Sequence, residues 1–162
     1  MPGRSLTIQQ ILTIITETPP RITALTSGLA AEQLSISPDP DEWSANEVLA
    51  HLRACADVWG SSIETILTQD MPVIRAINPR TWIERTDYRQ QEFLPSLQAF
   101  TKQRLGLLAI LETLTPADWS RSATITGAGK PLVKSVFSYA ERMALHERPH
   151  VKQIERLVKN MH

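Results

Sequence analysis

Apolar residues recur at the three- and four-residue steps of a helix in four long stretches of the chain, and stretches bearing proline or glycine separate them. The first stretch, about Thr7 to Leu29, lines up Ile11, Ile14, Ile15, Ile22, Leu25 and Leu29. Pro19 and Pro20 fall in its middle. Proline lacks a backbone donor and crowds the preceding turn, which predicts a kink or break there, with Pro20 opening the second half. The acidic, proline-bearing run SISPDPDEW (Ser35 to Trp43) reads as a loop. It leads into Ser44-Ala45-Asn46-Glu47, a capping box that starts a helix over about Ala45 to Leu67. Val48, Leu52, Cys55, Trp59, Ile63 and Ile66 form its apolar face.

Asp70 to Thr86 has little periodicity and reads as a long connection, a feature that often lines functional sites. Asp87 and Gln90 suggest a cap for a third helix, about Tyr88 to Leu114, although Pro95 pushes its start later. Its face is Phe93, Leu97, Phe100, Arg104, Leu107, Leu108 and Leu111. Thr115-Pro116-Ala117-Asp118 resembles a cap and a short helical turn, and RSATITGAGKP a loop or small hairpin. The last helix is expected from about Leu132 to Lys159, with Leu132, Val136, Tyr139, Met143, His146, His150, Ile154 and Leu157 on one stripe. Four one-sided helices predict an all-α fold, a four-helix bundle with long connections, as one domain over residues 1–162. Those connections leave a simple up-down-up-down order open.

Composition narrows the function more than the fold. Lys plus Arg equals Asp plus Glu, 17 against 17, so the chain lacks the basic footprint of a nucleic-acid or membrane-surface binder. No run of 18 apolar residues is present to span a membrane. Thr and Gln interrupt the apolar N-terminal stretch, and no small-residue cleavage site follows, so a signal peptide is not expected. The single cysteine, Cys55, permits no intramolecular disulfide, which fits a reducing, cytoplasmic setting.

The chemistry points to histidine. Of the four in the chain, the terminal His162 is set aside as an end residue. His146 and His150 stand four apart on the last helix, so their rings share one face, and they sit in its apolar stripe. His51 lies at the edge of the second helix's face. Imidazoles facing a core must be hydrogen-bonded, charged at a cost, or bound to a metal. Spacing alone leaves a metal site and satisfied core histidines equally open. The string His146-Glu147-Arg148-Pro149-His150 also matches the zinc-protease pattern H-E-x-x-H, with Glu147 as base. Pro149 inside the motif, Gln153 and Arg156 at the extended Gly and His positions, and only 12 residues after His150 argue against it.

The segment EWSANEVLAHLRACADVW resembles the second-helix signature of the DinB-like (DinB/YfiT) superfamily, and ERMALHERPHVKQIERL resembles its closing H-x-x-x-H helix. The opening TPPRITALTSGLAAEQL is similar to that family's first helix. The resemblance covers nearly the whole chain. It implies a four-helix bundle with one divalent metal on His51, His146 and His150, often in a homodimer. It also implies a small-molecule substrate. Activities in the family range from thiol-dependent transferases and isomerases to proteins named as metal-dependent hydrolases, and many members have none assigned. Pro149 between the two ligands departs from the usual pattern.

Three imidazoles leave coordination positions open for water or for a low-molecular-weight thiol. The same donors suit zinc, nickel, copper and iron, with zinc or nickel expected. A non-catalytic metal-binding or structural bundle is the alternative. Cys55 reads as a small buried hydrophobe, Glu47 as spent on the cap, Tyr139 as a core aromatic, and Trp59 and Trp82 as candidate pocket walls.

Overall fold

In a computed structural model, which describes residues 5–161, four long helices form the body of the molecule; His162 lies outside the described residues. They are α1 (Ile8–Thr26), α3 (Ala45–Thr68), α5 (Phe93–Leu111) and α7 (Val136–Val158). The short helices α2 (Ala31–Leu34), α4 (Pro79–Trp82) and α6 (Pro116–Trp119) sit in the connections. A small sheet is added by β1 (Val73–Arg75), β2 (Ser122–Thr126) and β3 (Leu132–Ser135). The expected four-helix bundle is present, with the sheet as a minor addition. No helix among the described residues is long and apolar enough to cross a membrane.

The bundle does not follow the simple up-down order. α7 packs between α1 and α3, and α5 packs between them on the opposite side. Consecutive long helices α1 and α3 therefore face each other across a diagonal, as do α5 and α7. The long connections make this arrangement possible, because only a tight turn would force consecutive helices to be neighbours.

Helix starts follow the capping chemistry. Ser44 accepts from the Glu47 backbone N–H at 3.1 Å, and Glu47 accepts from the Ser44 backbone N–H at 3.1 Å. Thr115 caps α6 in the same way with Asp118. Two boundaries differ from expectation. α5 begins at Phe93, so Pro95 falls in its first turn, where a missing N–H costs no intrahelical bond. Tyr88–Gln90 is a separate 3-10 turn. Leu132–Ser135 pairs with β2 as a strand instead of opening the last helix. The long connection contributes β1, which runs parallel to β2 with Val73 opposite Thr124. Ala123 and Ile125 alternate inward from β2 onto the core.

Of the kink or break expected at Pro19-Pro20, the break does not occur: α1 runs through both prolines. Pro19 cannot donate to the Ile15 carbonyl, which would otherwise be orphaned inside the core. Arg104 from α5 donates to that carbonyl at 2.9 Å instead. The bond missing at Pro149 falls on Leu145, an exposed residue.

Arg104 also explains a second correction. The core has two large apolar clusters, one around Ile15, Ile63, Leu111 and Met143, the other around Ile22, Leu49, Phe100 and Ile154, besides a small one at Ala50, Ala54 and Ile83. Between the two large clusters lies a polar layer in which Arg104 forms a two-pronged ion pair with Glu147 across the α5–α7 diagonal. Both side chains are 2% exposed. The buried stripe of α7 is Val136, Tyr139, Ala140, Met143, Ala144, Glu147, Ile154 and Val158. His146 and His150 were placed in that stripe by spacing; they sit at its edge, half-buried, because Glu147 occupies the centre.

Candidate metal centre

The three histidines converge where α3 meets α7. The His51 and His146 Nε2 atoms lie 3.1 Å apart. Ring centroids are 5.0 Å apart for His51 and His146, 5.0 Å for His51 and His150, and 4.5 Å for His146 and His150. Two imidazole nitrogens at about 2.05 Å from one tetrahedral ion would stand about 3.3 Å from each other. The observed 3.1 Å fits two donors of one ion. It also fits one imidazole donating a proton to the other.

The surrounding hydrogen bonds test the fit further. His150 Nδ1 lies 2.8 Å from the Gln153 side-chain oxygen. With Nδ1–H donating there, Nε2 keeps its lone pair, the arrangement typical of a ligating histidine. Among the described residues, His146 Nδ1 is buried without a hydrogen-bond partner. It lacks the outer hydrogen bond a ligating histidine usually has.

Electrostatics favours neutral rings. Burial, reinforced by neighbouring His150 and Arg80, lowers the His51 pKa to about 4. Burial, with the same neighbours plus His51 and Arg142, lowers that of His146 to about 3. Neutral imidazole is the form that ligates a metal.

Two tryptophans enclose the cluster. Trp43 lies 5.0 Å from the His51 ring and is stacked at 6.3 Å on His150. Trp59 meets His146 edge-on at 5.0 Å. Each carries an arginine: Arg80 lies over Trp43 at 5.6 Å, and Arg142 over Trp59 at 5.2 Å. Trp59 is a wall of the site, as expected, whereas the places of Trp43, Arg80 and Arg142 are evident only in the structure. Trp82 turns away, donating to Asp57 at 3.0 Å. Asp57 also accepts from Tyr88 and from Gln103, each at 2.5 Å, which fastens the long connection to α3.

A cavity of about 250 Å³ opens beside His51, lined by Trp43, Glu47, Arg80, Ile83, Glu84 and Arg89. Glu84 and Arg89 pair at 2.7 Å, and Glu47 is held in its cap. The remaining charged wall is Arg80, on α4.

The other singled-out residues fall as follows. Tyr139 is buried in the core, with its hydroxyl bonded to Ser62. Glu147 points into the bundle toward Arg104, so it stands apart from the histidines and cannot act as the base of a zinc protease. Cys55 is 3% exposed, yet its Sγ lies 3.6 Å from His51 Nε2 and 4.0 Å from His146 Nε2. His51, Cys55 and His146 thus form a compact group of metal-capable donors. Burial pushes the Cys55 thiol up to about 12, aided by the Glu147 charge.

Comparison with known proteins places the chain among its relatives. The model of the DinB superfamily matches residues 14–154. A relative from Geobacillus thermodenitrificans is 25% identical over 96% of this chain and 86% of its own length. Another from Bacillus licheniformis is 25% identical over 82% of this chain and 74% of its own. Both are provisionally named metal-dependent hydrolases. Among solved structures, YfiT from Bacillus subtilis superposes with a TM-score of 0.81 at 19% identity, covering 99% of this chain and 93% of that one. YfiT is described as a probable metal-dependent hydrolase with an unusual four-helix bundle topology. A Streptococcus pneumoniae protein superposes at 0.64 with 12% identity, covering 96% and 94%.

Proposed function

This chain belongs to the DinB superfamily, and from that membership we propose that it is a metal-dependent hydrolase of small molecules, with His51, His146 and His150 holding one zinc or nickel ion. The observation that carries this reading is the meeting of the three imidazoles beside an accessible cavity, with two Nε2 atoms 3.1 Å apart. An ion held there supplies Lewis acidity near neutral pH.

The chain's own residues do the rest. His51 and His146 stay neutral through burial and offer lone pairs. Gln153 fixes the His150 ring. Trp43 and Trp59 exclude water from two sides, which strengthens electrostatic interactions in the site. Arg80 offers a planar donor fork to an anionic substrate group, such as a carboxylate, entering the cavity. The names of the Geobacillus and Bacillus relatives favour hydrolysis over thiol transfer.

The test uses untagged protein. One equivalent of zinc or nickel is expected after purification or reconstitution. His51→Ala and His146→Ala should each lower metal content, and with it turnover on a panel of amide and ester substrates. Turnover should not depend on an added thiol. An absolute thiol requirement would shift the activity to thiol transfer, and the absence of metal uptake would refute the reading.

A further inference from the structure

Two pairs of metal-capable side chains with identical spacing meet, and the donor atoms of three of these residues, His51, Cys55 and His146, lie within 4.8 Å of one another. His51 and Cys55 stand four apart on α3, and His146 and His150 stand four apart on α7. An i, i+4 pair puts both side chains on one helix face. α3 and α7 pack against each other, so the two pairs meet. Helical bundles build metal sites in this way, from side chains on facing helices.

The distances place Cys55 inside the group. A thiolate at about 2.3 Å and an imidazole at about 2.05 Å from one tetrahedral ion stand about 3.6 Å apart. Cys55 Sγ lies 3.6 Å from His51 Nε2 and 4.0 Å from His146 Nε2, while those two nitrogens are 3.1 Å apart. The triangle formed by Cys55, His51 and His146 is therefore close to one face of a coordination tetrahedron. His146 Nδ1, buried without a hydrogen-bond partner among the described residues, leaves the Nε2 side of that ring as its bonded side. Among the described residues, the polar contacts of the thiol are the two imidazoles, while Glu147, Arg142 and Arg80 act on it through charge alone.

We propose that Cys55 is a direct ligand of the metal, so that the centre is a mixed histidine–cysteine site. This rests on the metal-binding part of the proposed function and revises its ligand set: Cys55 joins His51 and His146, whose donor atoms cluster with it, in place of His150, and one tetrahedral position stays open. As the sulfur–metal bond forms, the S–H proton passes to solvent and the sulfur binds as thiolate. A nitrogen and sulfur donor set of this kind selects zinc or cobalt over magnesium, calcium and manganese.

Cobalt(II) added to the metal-free, reduced, untagged full chain is the probe, because a cobalt–thiolate bond produces an intense near-ultraviolet charge-transfer band. The expected result is uptake of one cobalt with that band present. Cys55→Ala and Cys55→Ser should lack the band and bind cobalt about tenfold or more weakly, since even partners behind the ligands affect affinity by that factor. Circular dichroism of both variants checks that they remain folded. Stoichiometric uptake by the wild type without the band, or equal affinity in the folded variants, would overturn the role of Cys55 and leave the metal-binding reading standing. Failure of every protein to take up cobalt, zinc or nickel would overturn both.

Discussion

Replacing Arg104 by methionine removes the most heavily committed side chain in the bundle. Its guanidinium binds the Ile15 carbonyl at 2.9 Å and both oxygens of Glu147, with both residues 2% exposed. Removing one partner of a buried ion pair costs about 3–5 kcal/mol, because the other charge stays uncompensated. Leaving the Ile15 carbonyl without a donor adds about 1–3 kcal/mol. Arg104→Met should therefore cost about 4–8 kcal/mol, a large part of a domain's usual 5–15 kcal/mol.

The two costs separate by design. Adding Glu147→Leu to Arg104→Met removes the stranded carboxylate and should recover most of the loss, leaving about 1–3 kcal/mol for the carbonyl. Pro19→Ala restores a backbone N–H at position 19, which can close the helical bond to Ile15. In that background Arg104→Met should cost about 1–3 kcal/mol less than it does alone. The assay is urea unfolding of metal-free protein, followed by circular dichroism, for the single variants and their combinations. Strict additivity of Arg104→Met with both Glu147→Leu and Pro19→Ala would refute the assigned roles.

Two further outcomes follow from the site. In metal-free protein, His51 and His146 have folded pKa values of about 4 and about 3 against an unfolded 6.5. The unfolded chain thus takes up protons first, so this contribution is complete above pH 6.5 and is lost as pH falls from 6.5 toward about 3. Melting temperatures should drop over that window, less steeply in His51→Ala; equal slopes in the two proteins would contradict the pKa assignment. Asp57→Ala removes the acceptor shared by Trp82, Tyr88 and Gln103. Backbone amides over residues 78–90 should then exchange at least tenfold faster by hydrogen-exchange mass spectrometry, about 1.4 kcal/mol of lost protection, with metal content unchanged. Unaltered exchange would show that the connection is fastened elsewhere.

The periodic stripes and capping boxes sufficed to specify four helices, because both are local: Ser44 and Glu47 meet within one turn whatever the rest of the chain does. The i, i+4 placement of His146 and His150 was legible for the same reason. The spacing of Cys55 from His51 carried the same signal, but a single buried cysteine reads first as a hydrophobe. Tertiary structure decided what depends on partners distant in sequence. Periodicity could not say whether His146 or its neighbour Glu147 takes the centre of the core, since they differ by one helical step of about 100°. Arg104, 43 residues away, decided it by pairing with Glu147 and turning the histidines to the edge, toward α3. The same arginine let α1 run through Pro19 by supplying the donor that proline lacks. Arg80 and Trp43 joined the site only through the packing of loops, where no periodic signal exists. Local rules set the elements, and long-range pairing of polar groups that cannot stay buried alone set how those elements face one another.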